Sequence, residues 1–89
     1  PLGSSAASDV YKRQKLFITV NQKEKENSET TVIECLNFYS EKYPEVSEYT
    51  CDLVVRTNII IDNSCKYLTG VLAKKGSEES ITLDYNSSC

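Results

Sequence analysis

Four cysteines in a chain of 89 residues, with no histidine anywhere, constrain this sequence more than any other feature. A single core of this size leaves apolar burial and chain entropy nearly balanced, so a small domain of this kind needs covalent staples. Cys35, Cys51, Cys65 and Cys89 supply an even number of thiols, separated by 15, 13 and 23 residues. A structural zinc site brings a close Cys-x2-4-Cys pair, usually with histidine, and neither is present. The expected arrangement is therefore two disulfides, which places the chain in an oxidising, extracellular compartment.

Asn86-Ser87-Ser88 points to the same compartment as an N-glycosylation acceptor, and Asn63-Ser64-Cys65 is the rarer cysteine form of that triplet. No apolar run approaches the roughly 18 residues needed to cross a bilayer. The first fourteen residues are set apart from the domain. Pro1 to Ser4 reads as the remnant of a cleaved expression tag, and Asp9-Val10-Tyr11-Lys12-Arg13-Gln14 resembles translated sequencing-adapter DNA. Residues 15 to 89 are then expected to form one small disulfide-bonded domain. Setting aside Asp9, Lys12 and Arg13 reduces ten basic and thirteen acidic side chains to eight and twelve. Lys23, Lys25 and Lys42 alternate with Glu24, Glu26 and Glu41, so no basic stripe forms. Nucleic acid and anionic membrane are not expected partners.

The apolar pattern predicts a strand over Leu16 to Val20, followed by the polar loop Asn21 to Asn27. A helix is predicted over 29–43, with Ser28 as its cap, Thr31-x-x-Glu34 as a second capping-box register, and Pro44 ending it. Val32, Leu36, Tyr39 and Tyr43 share one face of that helix, with Cys35 on the flank. After the loop Glu45 to Glu48 the period becomes two. Cys51, Leu53, Val55, Thr57, Ile59 and Ile61 face one way along a strand over 51–61, and Asp52, Val54, Arg56, Asn58 and Ile60 face the other. Asp62-Asn63-Ser64 turns the chain into a strand over 65–74, Lys75 to Glu78 turns again, and Ile81, Leu83 and Tyr85 alternate on a last strand. The expected fold is α+β, one helix packed on an antiparallel sheet of three to four strands in the order strand-helix-strand-strand-strand.

This order discriminates among the three ways of pairing four cysteines. With Cys51 at the open end of the central hairpin and Cys65 beside its tip, the two lie on the order of 30 Å apart at about 3.3 Å per residue. A disulfide needs Cα atoms within about 7 Å, which excludes that pair. The last strand returns toward the tip and favours Cys65 with Cys89, leaving Cys35 with Cys51. The second pair fits less well, since Cys35 sits about 12 Å along the helix from Tyr43.

Leu36-Asn37-Phe38 with Glu41-Lys42-Tyr43, followed by Val54-Val55-Arg56 and Lys66-Tyr67-Leu68, resembles the helix and paired strands of the cystatin family over residues 32–74, with about four residues fewer in the intervening loop. The resemblance implies a cystatin-like fold. Inhibitory cystatins also carry an N-terminal glycine, a Gln-x-Val-x-Gly hairpin tip and a Pro-Trp loop. The corresponding tip here is Ile60-Ile61-Asp62-Asn63-Ser64, tryptophan is absent, and Gly3 belongs to the tag-like segment. Carrying the Asp62 carboxylate into an apolar cleft would cost several kcal/mol, on the order of the 2–7 kcal/mol for burying an unpaired polar group.

Without histidine the usual triads and histidine metal sites are excluded, and Cys-x-x-Cys redox chemistry has no motif to use. Glu41, Glu45, Glu48, Glu78 and Glu79 occupy solvated helix and turn positions and read as surface charge. No catalytic residue, metal ligand or cofactor is expected. The reading that remains is a secreted, non-enzymatic protein that binds an extracellular protein partner, of the kind a venom, salivary or parasite effector directs at a host protein. A cysteine protease inhibitor with a divergent hairpin wedge is the alternative. Candidate contact residues are Val54, Arg56, Asn58 and Ile60 on the outer strand face and Asp62, Asn63 and Ser64 at the tip, with the turn Lys74 to Glu79 a further element. Exposed aliphatics on the outer face would also suit a homodimer.

Overall fold

A computed structural model describes residues 14–58, 60–61 and 63–89. Of the fourteen residues expected to be foreign, only Gln14 falls within that range. Its carbonyl accepts from the Ser47 amide at 3.2 Å.

The elements are β1 (Lys15–Gln22), α1 (Ser28–Lys42), β2 (Glu48–Arg56), β3 (Ser64–Lys75) and β4 (Glu78–Tyr85). They form an α+β fold whose single sheet has the order β1-β2-β3-β4. β2 with β3 and β3 with β4 are antiparallel, as expected. The remaining pair is not: β1 runs parallel to β2, with Lys15 opposite Glu48 and Gln22 opposite Val55, so the expected antiparallel sheet is a mixed one. The cause lies in the connection. A helix of 15 residues is about 22 Å long, close to the length of the strand before it. It carries the chain back to the end where β1 began, and a strand starting there must run alongside β1 in the same direction.

The helix boundaries follow the local chemistry with one correction. Tyr43, forced out of helical dihedrals by Pro44, sits at φ −127° and ψ 71° as the C-cap. At the other end Asn27, rather than Ser28, is the N-cap, in the left-handed region at φ 59° and without a side-chain cap. The Ser28 hydroxyl instead donates back to the Lys25 carbonyl. Thr31 Oγ1 donates to Asn27 O at 3.0 Å, within the first turn, so it does not act as a cap either.

Val32 and Leu36 are fully buried against Tyr49, Cys51, Leu53 and Val55 of β2 and Leu68 and Leu72 of β3. Tyr39 packs partly against this core, while Tyr43 lies at its margin, 37% exposed. The helix sits close to the sheet at Gly70, where a Cβ would lie 2.2 Å from Val32 Cγ1 and 3.1 Å from Leu36 Cδ1. Gly76, at φ 61°, provides the positive dihedral for the tight turn between Lys75 and its partner Glu78. Tyr49 is buried with its hydroxyl satisfied: it donates to Tyr43 O and accepts from Lys74 Nζ at 3.1 Å.

A register shift follows Leu53, where Val54 pairs with Lys66 and Tyr67 is passed over. This bulge brings Tyr67 to the helix side beside Leu68, and Lys66 to the outer side, where its ammonium lies 3.5 Å from Asp52. Both disulfides expected from the strand order are present, Cys35–Cys51 with Cα atoms 6.4 Å apart and Cys65–Cys89 at 6.0 Å. The anticipated misfit at Cys35 is resolved because β2 starts at Glu48 and runs beneath the helix, bringing Cys51 under its middle rather than its end.

Candidate functional site

β2 ends at Arg56, five residues before the predicted limit of the strand. The reason is at Asn58, whose Oδ1 accepts from the Ile60 amide at 2.9 Å and lies 3.4 Å from that of Ile61. That side chain offers the backbone a turn in place of the ladder. Asn63 Nδ2 donates to Thr57 Oγ1 at 2.6 Å across the base of the same loop. The result is a shaped hairpin tip that presents two isoleucines to solvent, Ile60 at 91% exposure and Ile61 at 68%.

The candidate contact residues therefore divide into groups with different roles. Val54 is half-buried on the outer face of β2, between Asn21 of β1 and Lys66 of β3. Arg56 is exposed at the end of the strand opposite Ser64, the first residue of β3. Asn58 and Ile60 leave the strand and join the tip, so these four residues do not share one flat face as expected. Asn58 and Asn63 are spent on shaping the loop. Asp62, and with it Ile59, lies outside the described residues. Ile61, which the alternating pattern assigned to the buried face, is instead part of the exposed knob. The signal in the sequence that the strand stops short is Asn58, a residue type whose side chain competes with the ladder for backbone amides.

The outer sheet face carries Phe17, 68% exposed, opposite buried Thr50, with half-buried Val71 beyond it. Around them stand Thr19, Asp52, Thr69 and Asp84, and Thr69 Oγ1 donates to Asp52 Oδ1 at 2.7 Å. Apolar and polar side chains thus alternate across this face. In the turn Lys74 to Glu79, Lys74 is drawn inward, donating to Pro44 O at 3.2 Å and lying over the Tyr49 ring at 4.9 Å.

A second polar cluster, not expected from the sequence, joins the start of α1 to β3 and β4. Lys25, Glu29, Tyr67 and Tyr85 line a depression there. The Tyr67 and Tyr85 rings meet edge to face at 5.5 Å, and Lys25 Nζ lies 5.1 Å from the Tyr67 ring centre. The Tyr85 hydroxyl donates to Glu29 Oε2, and this bond is the main cause that pushes the phenol pKa up to about 12. The Tyr85–Glu29 bond ties the helix start to the sheet, and Lys25 Nζ donates to the Cys89 carbonyl at 2.7 Å. Among the described residues no three His, Cys, Asp or Glu side chains are grouped to hold a metal ion, and no helix is long and apolar enough to cross a membrane.

Comparison with protein families, with curated proteins and with solved structures finds no match to this chain. Two disulfides and the lack of a membrane-crossing helix among the described residues are compatible with an extracellular protein.

Proposed function

We propose that this protein is a secreted, non-enzymatic binding protein of cystatin-like fold that engages an extracellular protein partner through the β2–β3 hairpin tip. The observation that carries this reading is the exposure of Ile60 and Ile61 on a loop held in shape by Asn58 and Asn63. Two branched aliphatic side chains held out in water gain by entering an apolar recess, at about 25 cal/mol for each Å² they bury. Holding the loop in shape beforehand lowers the ordering cost of that step. Arg56, exposed at the base of the knob, suits the polar rim of such an interface.

A second reading, inhibition of a cysteine protease by a divergent hairpin wedge, draws on the same knob, since a wedge works by apolar contact in a narrow cleft. Papain separates the two. Inhibition at micromolar or tighter concentration supports the wedge; no inhibition, together with capture of a tissue protein that is lost in Ile60→Ser/Ile61→Ser, supports the binding module. Capture that survives the double substitution removes the tip from either role.

A further inference from the structure

Both glycosylation acceptors lie at one end of the sheet, and one disulfide reaches both of them. Cys65 is the third residue of Asn63-Ser64-Cys65, while Cys89, its partner, directly follows Asn86-Ser87-Ser88. Around Asn86 the chain is wound into a turn. The Asn86 amide donates to Tyr67 O at 2.9 Å, the Cys89 amide to Asn86 O at 3.1 Å, and the Ser88 amide to Asn86 Oδ1 at 3.0 Å. Asn86 Nδ2 itself donates to Lys66 O at 3.1 Å. Both ends of the carboxamide are therefore engaged, and the disulfide clamps the turn shut.

Asparagine glycosylation joins Nδ2 to the anomeric carbon of an oligosaccharide carried on a lipid pyrophosphate. The carbon–oxygen bond to the pyrophosphate breaks, the lipid pyrophosphate leaves with the electron pair, and one Nδ2 proton passes to a base of the transferase. The transferase takes its acceptor as an open, extended segment and bonds to the hydroxyl or thiol of the third residue. Neither triplet meets those demands once Cys65 and Cys89 are joined: Ser88 and Asn86 are folded onto each other, and Cys65 has no thiol hydrogen.

We propose that closure of Cys65–Cys89 switches off both acceptors together, so that carbohydrate enters at Asn86 and Asn63 only before this disulfide forms. The proposal rests on the secretory reading above. The finished fold tolerates a glycan added earlier, because Asn86 is exposed and a glycosylated Nδ2 keeps one hydrogen for Lys66 O.

The test is site occupancy, read by mass spectrometry after glycosidase release in heavy-oxygen water, for the full chain made in a secreting eukaryotic cell. Cys89→Ser leaves both triplets unaltered while removing the clamp. Asn86 occupancy is expected to rise at least twofold over wild type, and Asn63 to become measurably occupied. A second measurement does not depend on the variant folding: the purified wild-type chain, oxidised or dithiothreitol-reduced, is offered to microsomal transferase with a lipid-linked oligosaccharide. The reduced chain is expected to accept carbohydrate and the oxidised chain to refuse it. Equal occupancy of Asn86 in wild type and Cys89→Ser, or equal acceptance by oxidised and reduced chains, overturns the gating. No carbohydrate at either asparagine under any condition also overturns it. Four free thiols in chain taken from its native source would separately overturn the secretory reading.

Discussion

Gly70 is the residue on which the helix-to-sheet distance turns. A methyl there would overlap the Val32 side chain and press on Leu36, both fully buried and hemmed in by β2 and β3. Gly70→Ala is therefore expected to destabilise the fold by about 1–3 kcal/mol, the range for overpacking a core, measurable by urea unfolding. Tyr85 gives a pH signature. Its folded pKa of about 12 lies above the ordinary 10 because the neutral phenol bonds to Glu29, so this contribution to stability is fully present below pH 10. It is lost as the pH rises from 10 through 12. An absorbance titration should show a tyrosine ionising near pH 12 that disappears in Tyr85→Phe, and Glu29→Gln should return it toward 10.

At the scale of elements, the helix and the hairpin tip are opposites in what they bury. Val32 and Leu36 make α1 a core element, and Leu36→Ala is expected to cost about 2–5 kcal/mol through lost transfer energy and the cavity left behind. The tip leaves Ile60 and Ile61 mostly exposed. Ile60→Ser/Ile61→Ser should change the unfolding free energy by less than about 0.5 kcal/mol per site, as expected for exposed positions. A larger loss would mean that the tip packs against the domain in solution and is not presented to a partner. The bulge at Tyr67 is the third element of note, because it brings a second aromatic ring to the helix side where strict alternation would have left Lys66.

For the whole molecule, the two disulfides occupy different environments and should differ in behaviour. Cys35–Cys51 joins helix to sheet with Cys51 fully buried, whereas Cys65–Cys89 closes the sheet end, where both sulfurs belong to partly exposed residues. Thiol exchange depends on access to the sulfur, so graded reduction should open Cys65–Cys89 first. Alkylation at low dithiothreitol followed by peptide mapping should mark Cys65 and Cys89 while Cys35 and Cys51 remain joined; the reverse order would contradict the burial. Closing loops with sequence separations of 16 and 24 residues, each bond is expected to contribute about 3 kcal/mol by restricting the unfolded chain.

Pattern and spacing in the sequence sufficed for the element order, for Val32 and Leu36 as the buried face of the helix and for both disulfide pairs. Each of these depends on a strong local period or on a simple reach constraint: Pro44 takes Tyr43 before it out of helical dihedrals, and Cys51 and Cys65 are too far apart along one hairpin to meet. The direction of β1 was not legible in this way, because a strand reads the same whichever way its neighbour runs. Only the length of α1 matched against the sheet decided it. The limit of β2 was hidden for a related reason. Ile61 continues the alternating period, but a hydrophobic period records only what a strand could bury, and here Asn58 turns the backbone and leaves Ile61 exposed. The close approach at Gly70 and the Glu29–Tyr85 bond belong to the tertiary structure alone, since each joins residues far apart in sequence that meet only when the helix lies across the sheet, and the bulge at Tyr67 is set by the pairing of β2 with β3.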